Sequence, residues 1–97
     1  MAEDGDRAAI RRLIDEWVIF RDAGMWDRFR ALWADDGRMM ATWTQGTADE
    51  FIAMNKAGWD KGLSILHFVG AHTADIAGNR AVAQTKMTIS QLSLIHI

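Results

Sequence analysis

The chain has 97 residues, of which 49 % are hydrophobic and 25 % charged, and a formal net charge of -2. This length and composition indicate one small globular domain with a thin core and exclude an intrinsically disordered chain. The charge balance includes no basic block, so we expect neither nucleic acid nor a membrane as a partner.

The absence of two residue types, cysteine and tyrosine, limits the kinds of functional site that the chain can form. The chain lacks cysteine, which excludes disulfides and thiolate metal sites. It also lacks tyrosine, whose hydroxyl is a common acid in apolar pockets. The N-terminal stretch "MAEDGDRAAIRR" is acidic and then helical, without the apolar run of a signal peptide or membrane span. We therefore expect a cytoplasmic protein.

An amphipathic helix is predicted from Asp4 or Asp6, either of which suits its N-cap. Its apolar face has helical spacing and comprises Ile10, Leu13, Ile14, Trp17, Val18 and, on the flank, Phe20. Gly24 is the expected left-handed cap that ends it. A second helix then turns inward Trp26, Phe29, Leu32 and Trp33. The turn "ADDG" at 34–37 ends that helix and fully explains its two aspartates.

Residues 38–44 alternate Met39, Ala41 and Trp43 against polar neighbours and Met40, which predicts a short strand. The sequence "TADE" at 47–50 matches a capping box, in which a threonine and a glutamate satisfy each other's free backbone amides. It predicts a third helix that ends at Gly62.

From Ser64 onward the apolar pattern has a period of two. It places Ile65, His67, Val69 and Ala71 on one strand face, and Leu66, Phe68, Gly70 and His72 on the other. Gly78-Asn79 predicts a turn into a second antiparallel strand. Helices followed by a hairpin indicate the α+β class.

The last six residues, "LSLIHI", fit this pattern poorly, because they would leave an exposed apolar sheet edge. One codon choice for them reproduces a transposon-end adapter used in sequencing libraries. We expect residues 1–91 to be an incomplete domain and residues 92–97 a non-native read-through tail. The alternative is an authentic apolar strand.

Asp22 and His67 are the candidate catalytic pair. Asp22 follows Val18 at a spacing of four, on the apolar side of its helix. A carboxylate there needs a partner, and His67 would be oriented and made more basic by it. The dyad requires the two side chains to lie within about 4 Å of each other and to face one concavity. The structural alternatives are a solvated helix end and a core histidine. His72 is placed on the opposite face, so no metal site is expected.

The order of a helix, "DAGMWDRFRALWADDGRM", a capped helix after "GTADEFI", and "LHFVGAHTADIAGNRAVAQ" resembles the SnoaL-like branch of the nuclear transport factor 2-like superfamily over residues 6–91. It is most similar to the group that includes scytalone dehydratase. The resemblance implies a cone-shaped (α+β) barrel of three N-terminal helices packed on a curved, largely antiparallel sheet, here with its C-terminal strands missing. Such cones enclose an apolar pocket.

The resemblance carries the dehydratase's pocket aspartate onto Asp22 and one of its catalytic histidines onto His67. Arg21 and Ala41 stand where that enzyme has tyrosines, and Thr85 where it has its second histidine. Its pocket asparagine would lie beyond Gln91. These departures argue against dehydration of that enzyme's own substrate.

We therefore expect a lyase- or isomerase-type acid-base enzyme without a cofactor, acting on a hydrophobic cyclic molecule through Asp22 and His67. The full-length protein is expected to be a homo-oligomer. Two alternatives remain, a non-catalytic module that binds a ligand or partner, and a structural protein like the dioxygenase β-subunit. The residues expected to line the pocket are Trp17, Val18, Trp26, Met40, Trp43, Val69 and Thr85.

Overall fold

The structure is a computed structural model and describes residues 2–93. In chain order its elements are α1 (Ala2–Asp22), α2 (Trp26–Ala31), β1 (Arg38–Met40), β2 (Gln45–Thr47), α3 (Ala48–Asp60), β3 (Leu63–Ala77) and β4 (Arg80–Ser93). Within the proposed tail, Leu92 and Ser93 pair with β3, and residues 94–97 lie outside the described part. Within residues 2–93, every helix is too short or too polar to span a membrane.

The first helix starts earlier than expected and ends where expected. Asp4 and Asp6 lie inside α1, so the predicted N-cap at either residue was wrong. Their carboxylates suit the first turns of a helix because the helix dipole is positive there. At the other end, Gly24 has a φ of 70°. Its N–H donates to the Arg21 carbonyl at 3.2 Å, and the Met25 N–H donates to the Phe20 carbonyl at 2.8 Å. These two bonds form a Schellman motif, which makes Asp22 the last residue of α1.

The core lies where the three described helices meet. Its buried centre is formed by Phe20, Phe29, Phe51 and Ile52. Half-buried residues pack around this centre, among them Trp17, Trp26 and Leu32. Leu13 was expected inside but is 43 % exposed. The inward stripe follows Ile14, Trp17, Val18 and Arg21, and Leu13 lies beside that stripe rather than on it.

The predicted strand over 38–44 is a short hairpin instead. β1 ends at Met40, the Ala41 N–H donates to the Thr44 carbonyl at 2.8 Å, and β2 returns antiparallel to β1. The prediction of one strand was wrong because a tight turn interrupts the alternation after three residues. The hairpin leads directly into α3.

The capping box is confirmed at the start of α3. The Glu50 N–H donates to the Thr47 hydroxyl at 3.1 Å, and the Thr47 N–H donates to the Glu50 carboxylate at 2.9 Å. Each side chain therefore satisfies a backbone amide that the helix leaves free.

The long hairpin of β3 and β4 turns at Gly78, as predicted, with a φ of 61°. A register shift between Val69 and His72 interrupts the pairing. Burial alternates up to Val69 and then resumes one residue later, so the inner face continues through His72 and Ala74. The predicted faces were therefore wrong beyond this shift, because an extra residue in one strand reverses the parity of everything after it.

The α+β class is confirmed, with α1 and α3 packed on the inner face of the long hairpin. Among residues 2–93 the strands form two separate two-stranded antiparallel sheets, β1-β2 and β3-β4. They do not close a barrel, because closure needs a continuous ring of hydrogen-bonded strands.

Candidate active site

Asp22 and His67 meet where the end of α1 reaches the middle of β3. One carboxylate oxygen accepts the His67 backbone N–H at 2.6 Å, and the other lies 2.7 Å from His67 Nδ1. The side chains are 14 % and 9 % exposed, respectively. The distance required for the dyad is therefore met, and the carboxylate also holds the histidine's backbone.

This contact determines which ring nitrogen of His67 is free. An ionised carboxylate only accepts hydrogen bonds, so the neutral imidazole carries its proton on Nδ1 and keeps a lone pair on Nε2. The Trp17 ring packs against the imidazole in a T-shaped arrangement, with centroids 5.5 Å apart and planes at 81°. The ring is therefore fixed from two sides.

His67 lies on the wall of a cavity of about 500 Å³ between the helices and the long hairpin. The volume is in the range of small-molecule sites. Its apolar lining comprises Ile14, Trp17, Met39, Ala41, Trp43, Phe51, Ile65, Met87 and Ile89, and its polar lining Arg21, Asn55, His67 and Gln91. Asp22 does not line this cavity, so the second requirement of the dyad, that both side chains face one concavity, is not met. It lies behind the imidazole, where it can orient the ring without touching a bound molecule.

Arg21 and Asn55 form a second polar group on the same wall. Arg21 is only 3 % exposed, and its Nε donates to Asn55 Oδ1 at 2.9 Å. Asn55 Nδ2 donates to the Phe51 carbonyl at 2.8 Å, which fixes the amide orientation. Burial lowers the pKa of Arg21, and the nearby charge of Asp22 offsets part of this effect.

Sequence reasoning did not assign Asn55 to the pocket, and Arg21 entered it only through the resemblance, at a position where the dehydratase has a tyrosine. The available signal was their spacing. Arg21 follows Trp17 by four residues, and Asn55 follows Phe51 by four, so each shares a helix face with an aromatic residue of the wall.

The structure brings only part of the expected lining together. Trp17 and Trp43 line the cavity. Met40 is 73 % exposed, and Met39 takes its place on the wall. The two residues have opposite strand parity, so only one of them can face inward.

Three other expected lining residues lie elsewhere. Val18 is buried within the fold at 6 % exposure. Trp26 packs against Phe29 and Trp59. Val69 is half-buried on the inner strand face, outside the lining of the cavity.

His72 and Thr85 form a separate pair. The register shift places His72 on the inner face, so the expectation that it lies opposite His67 was wrong. Its Nδ1 lies 2.7 Å from the Thr85 hydroxyl. Neither residue lines the cavity. Among the described side chains, those of residues 4–92, no three of His, Asp or Glu converge in a way that could hold a metal ion.

The chain is similar in sequence to a known domain family and to several fungal proteins. Residues 3–93 match the family described as the SnoaL-like domain. An uncharacterized protein of Aspergillus terreus is 37 % identical over 89 residues, covering 89 % of this chain and 33 % of that protein. An uncharacterized protein of Emericella nidulans is 37 % identical over 93 residues, covering 93 % and 39 %.

Pea pathogenicity protein 2 of Fusarium vanettenii is 36 % identical over 89 residues, covering 89 % of this chain and 38 % of that protein. The chain thus spans 33–39 % of the length of these curated relatives.

Proposed function

The chain belongs to the SnoaL-like domain family of the nuclear transport factor 2-like superfamily, and on this premise we propose that its cavity binds a hydrophobic cyclic molecule on which His67 transfers a proton. The proposed reaction class is elimination or isomerisation beside a carbonyl group, without a cofactor. The observation that carries the proposal is the pair of hydrogen bonds by which Asp22 holds His67.

In this mechanism Nε2 of neutral His67 takes a proton from the carbon next to the carbonyl group. The electron pair of the broken C–H bond moves toward the carbonyl oxygen and forms an enolate. The imidazolium that results is stabilised by the Asp22 carboxylate at Nδ1. The proton on Nε2 then passes to a leaving hydroxyl, which departs as water, or to a different carbon, which completes an isomerisation.

The surroundings of His67 support proton transfer rather than passive packing. The ring is 9 % exposed, and apolar side chains dominate the cavity that it faces. Once a bound molecule has displaced water from these apolar walls, fixed polar groups interact with it more strongly than they would in water. Trp17 and Asp22 hold the ring in one orientation, which is what a positioned general base requires.

A partial reaction tests the proposal without knowledge of the natural substrate. Bicyclic ketones such as 2-tetralone, incubated with the protein in D2O, should exchange hydrogen for deuterium at the carbon next to the carbonyl, as followed by NMR. We expect His67→Gln to lower the protein-dependent rate about 10²–10⁴-fold, the usual contribution of a positioned general base.

His72→Gln is the matched control, because it removes a histidine of the same strand that does not line the cavity. It should leave the exchange rate unchanged. If a ketone binds but the wild type catalyses no exchange, the cavity is a binding site only and the proposed reaction is wrong. Equal protein-dependent rates in wild type and His67→Gln would show that His67 is not the base, which would also overturn the proposal.

A further inference from the structure

The guanidinium of Arg21 is a buried cation with incomplete partners. It is 3 % exposed, yet among residues 2–93 its Nη1 is a buried nitrogen without a hydrogen-bond partner. Its Nε bonds to a neutral amide, that of Asn55, at 2.9 Å. The face of Trp26 lies 6.0 Å from the guanidinium carbon and adds a weak cation-π contact. A buried charge is costly unless it is paired, so this guanidinium needs an anion close enough to accept a hydrogen bond.

Asp22 does not fully supply that anion. Its nearer oxygen lies 3.8 Å from Arg21 Nη1, too far for a hydrogen bond. The same oxygen is 2.7 Å from His67 Nδ1, and the other oxygen accepts the His67 backbone N–H. The carboxylate is therefore committed to His67. Burial accordingly dominates the environment of Arg21 and lowers its pKa despite the nearby negative charge.

Arg21 is also placed to meet a bound molecule. Together with Asn55 it lines both the 500 Å³ cavity that His67 faces and an adjoining cavity of about 440 Å³ near the end of α3. Neither cavity has a carboxylate among its lining residues. A ligand in this space would find apolar walls and one cationic group.

We infer that Arg21, braced by Asn55, binds a negatively charged oxygen of the ligand, so that the cavity takes a hydrophobic cyclic molecule with one carboxylate, phenolate or enolate group. A guanidinium suits this task because it offers several N–H donors in one plane and remains protonated at neutral pH. The inference depends on the proposed function only in using the same cavity, and it does not require proton transfer at His67.

Two probes of nearly equal shape test this binding group. Isothermal titration calorimetry of the 97-residue chain with 2-naphthoate and with 2-naphthamide, at neutral pH and low salt, compares a carboxylate with its neutral amide. We expect the wild type to bind naphthoate at least about tenfold more tightly, the scale of one charge-assisted contact. Arg21→Gln should bind the two compounds within about twofold of each other.

Two further variants separate the residues of the wall. Arg21→Lys keeps the charge and should retain part of the preference for naphthoate. His67→Gln should retain all of it, which would show that protonated His67 is not the group that binds the anion. Circular dichroism shows whether Arg21→Gln folds. If it does not, the affinities of the wild type and of Arg21→Lys for naphthoate and naphthamide still test the inference.

Several results would overturn the inference. They are equal affinity of the wild type for both probes, no binding of either probe at millimolar concentration, and a preference for naphthoate that survives in folded Arg21→Gln. These outcomes are distinct from failure of the proposed function. Exchange of ketone protons without anion preference rejects the role of Arg21 alone, and anion preference without exchange rejects the role of His67 alone.

Discussion

Asp22 accepts two hydrogen bonds from a single residue, His67, one from its backbone N–H at 2.6 Å and one at ring Nδ1, 2.7 Å away. The bonds join the end of α1 to the middle of β3 across 45 residues of sequence. One side chain therefore contributes both to the packing of helix on strand and to the orientation of the imidazole. These two effects can be separated by substitution.

Asp22→Ala should destabilise the fold by about 1–3 kcal/mol, because the half-buried N–H of His67 loses its acceptor. Asp22→Asn should cost less, because the amide oxygen can still accept that N–H. The free energy of unfolding in urea measures both. Asp15→Ala is the control, since Asp15 is 54 % exposed in an ion pair with Arg11, and its loss should change stability by under about 0.5 kcal/mol. A stability of Asp22→Ala equal to wild type would contradict the prediction.

Phe29→Ala should destabilise the protein by about 3–5 kcal/mol, because its fully buried ring is replaced by a cavity. A domain of this size has only about 5–10 kcal/mol in total, so we expect much of the variant to be unfolded near 37 °C. Thermal melting followed by circular dichroism measures this. Phe68→Ala removes the same ring from the outer face of β3, where it is 56 % exposed, and should melt close to wild type. Similar losses in both variants would argue against the described core.

Thr47→Ala should cost about 1 kcal/mol, the usual value of an N-cap hydroxyl. The hydroxyl accepts the Glu50 N–H at the start of α3, and alanine leaves that amide without a partner. Thr42→Ala, in the exposed turn before β2, is the matched control and should change the free energy of unfolding by under about 0.5 kcal/mol. Urea denaturation of the two variants gives the comparison, and equal losses would reject the role of the cap.

The capping box should also make stability depend on pH. The pKa of Glu50 lies below its ordinary value of 4.5. The main cause is the hydrogen bond from the Thr47 backbone N–H, and the hydrogen bond with the Thr47 side chain is the second cause. Because the pKa is lower in the folded chain, ionised Glu50 stabilises the fold above this value, and the contribution is lost as the pH falls through and below it. Glu50→Gln should therefore be less stable than wild type at pH ~6, with the difference shrinking toward pH ~3. A difference that is constant over this range, measured by urea denaturation, would contradict the assignment.

Much of the fold could be predicted because its signals are local. The left-handed Gly24, the Thr47–Glu50 box and the turn at Gly78 each depend on a few neighbouring residues. The errors arose where packing overrode a local pattern. The apolar alternation over 38–44 is interrupted by a tight turn, and Leu13 lies beside the buried stripe of α1.

The candidate site was harder to predict than the fold. Two expected wall residues, Trp17 and Trp43, do line the cavity, whereas Val18, Trp26, Met40, Val69 and Thr85 do not. Strand parity decides between Met39 and Met40, and it depends on where each short strand begins. To place Arg21 and Asn55 on the cavity wall, one must know which helix faces meet, because each is a polar residue on an otherwise apolar contact surface.

By itself, the sequence determined the three helices, the long hairpin, the caps at Gly24 and Thr47 and the separate positions of Asp22 and His67, because capping, turn chemistry and periodicity act over a few residues. Only the tertiary structure decided which groups surround these residues and which of them face the cavity. It set the Asp22 carboxylate behind the imidazole rather than on the cavity wall, left Arg21 without a full partner, and moved His72 to the inner face. These outcomes depend on how α1 is seated on the long hairpin and on one register shift within it, and both are set by contacts between residues far apart in the chain.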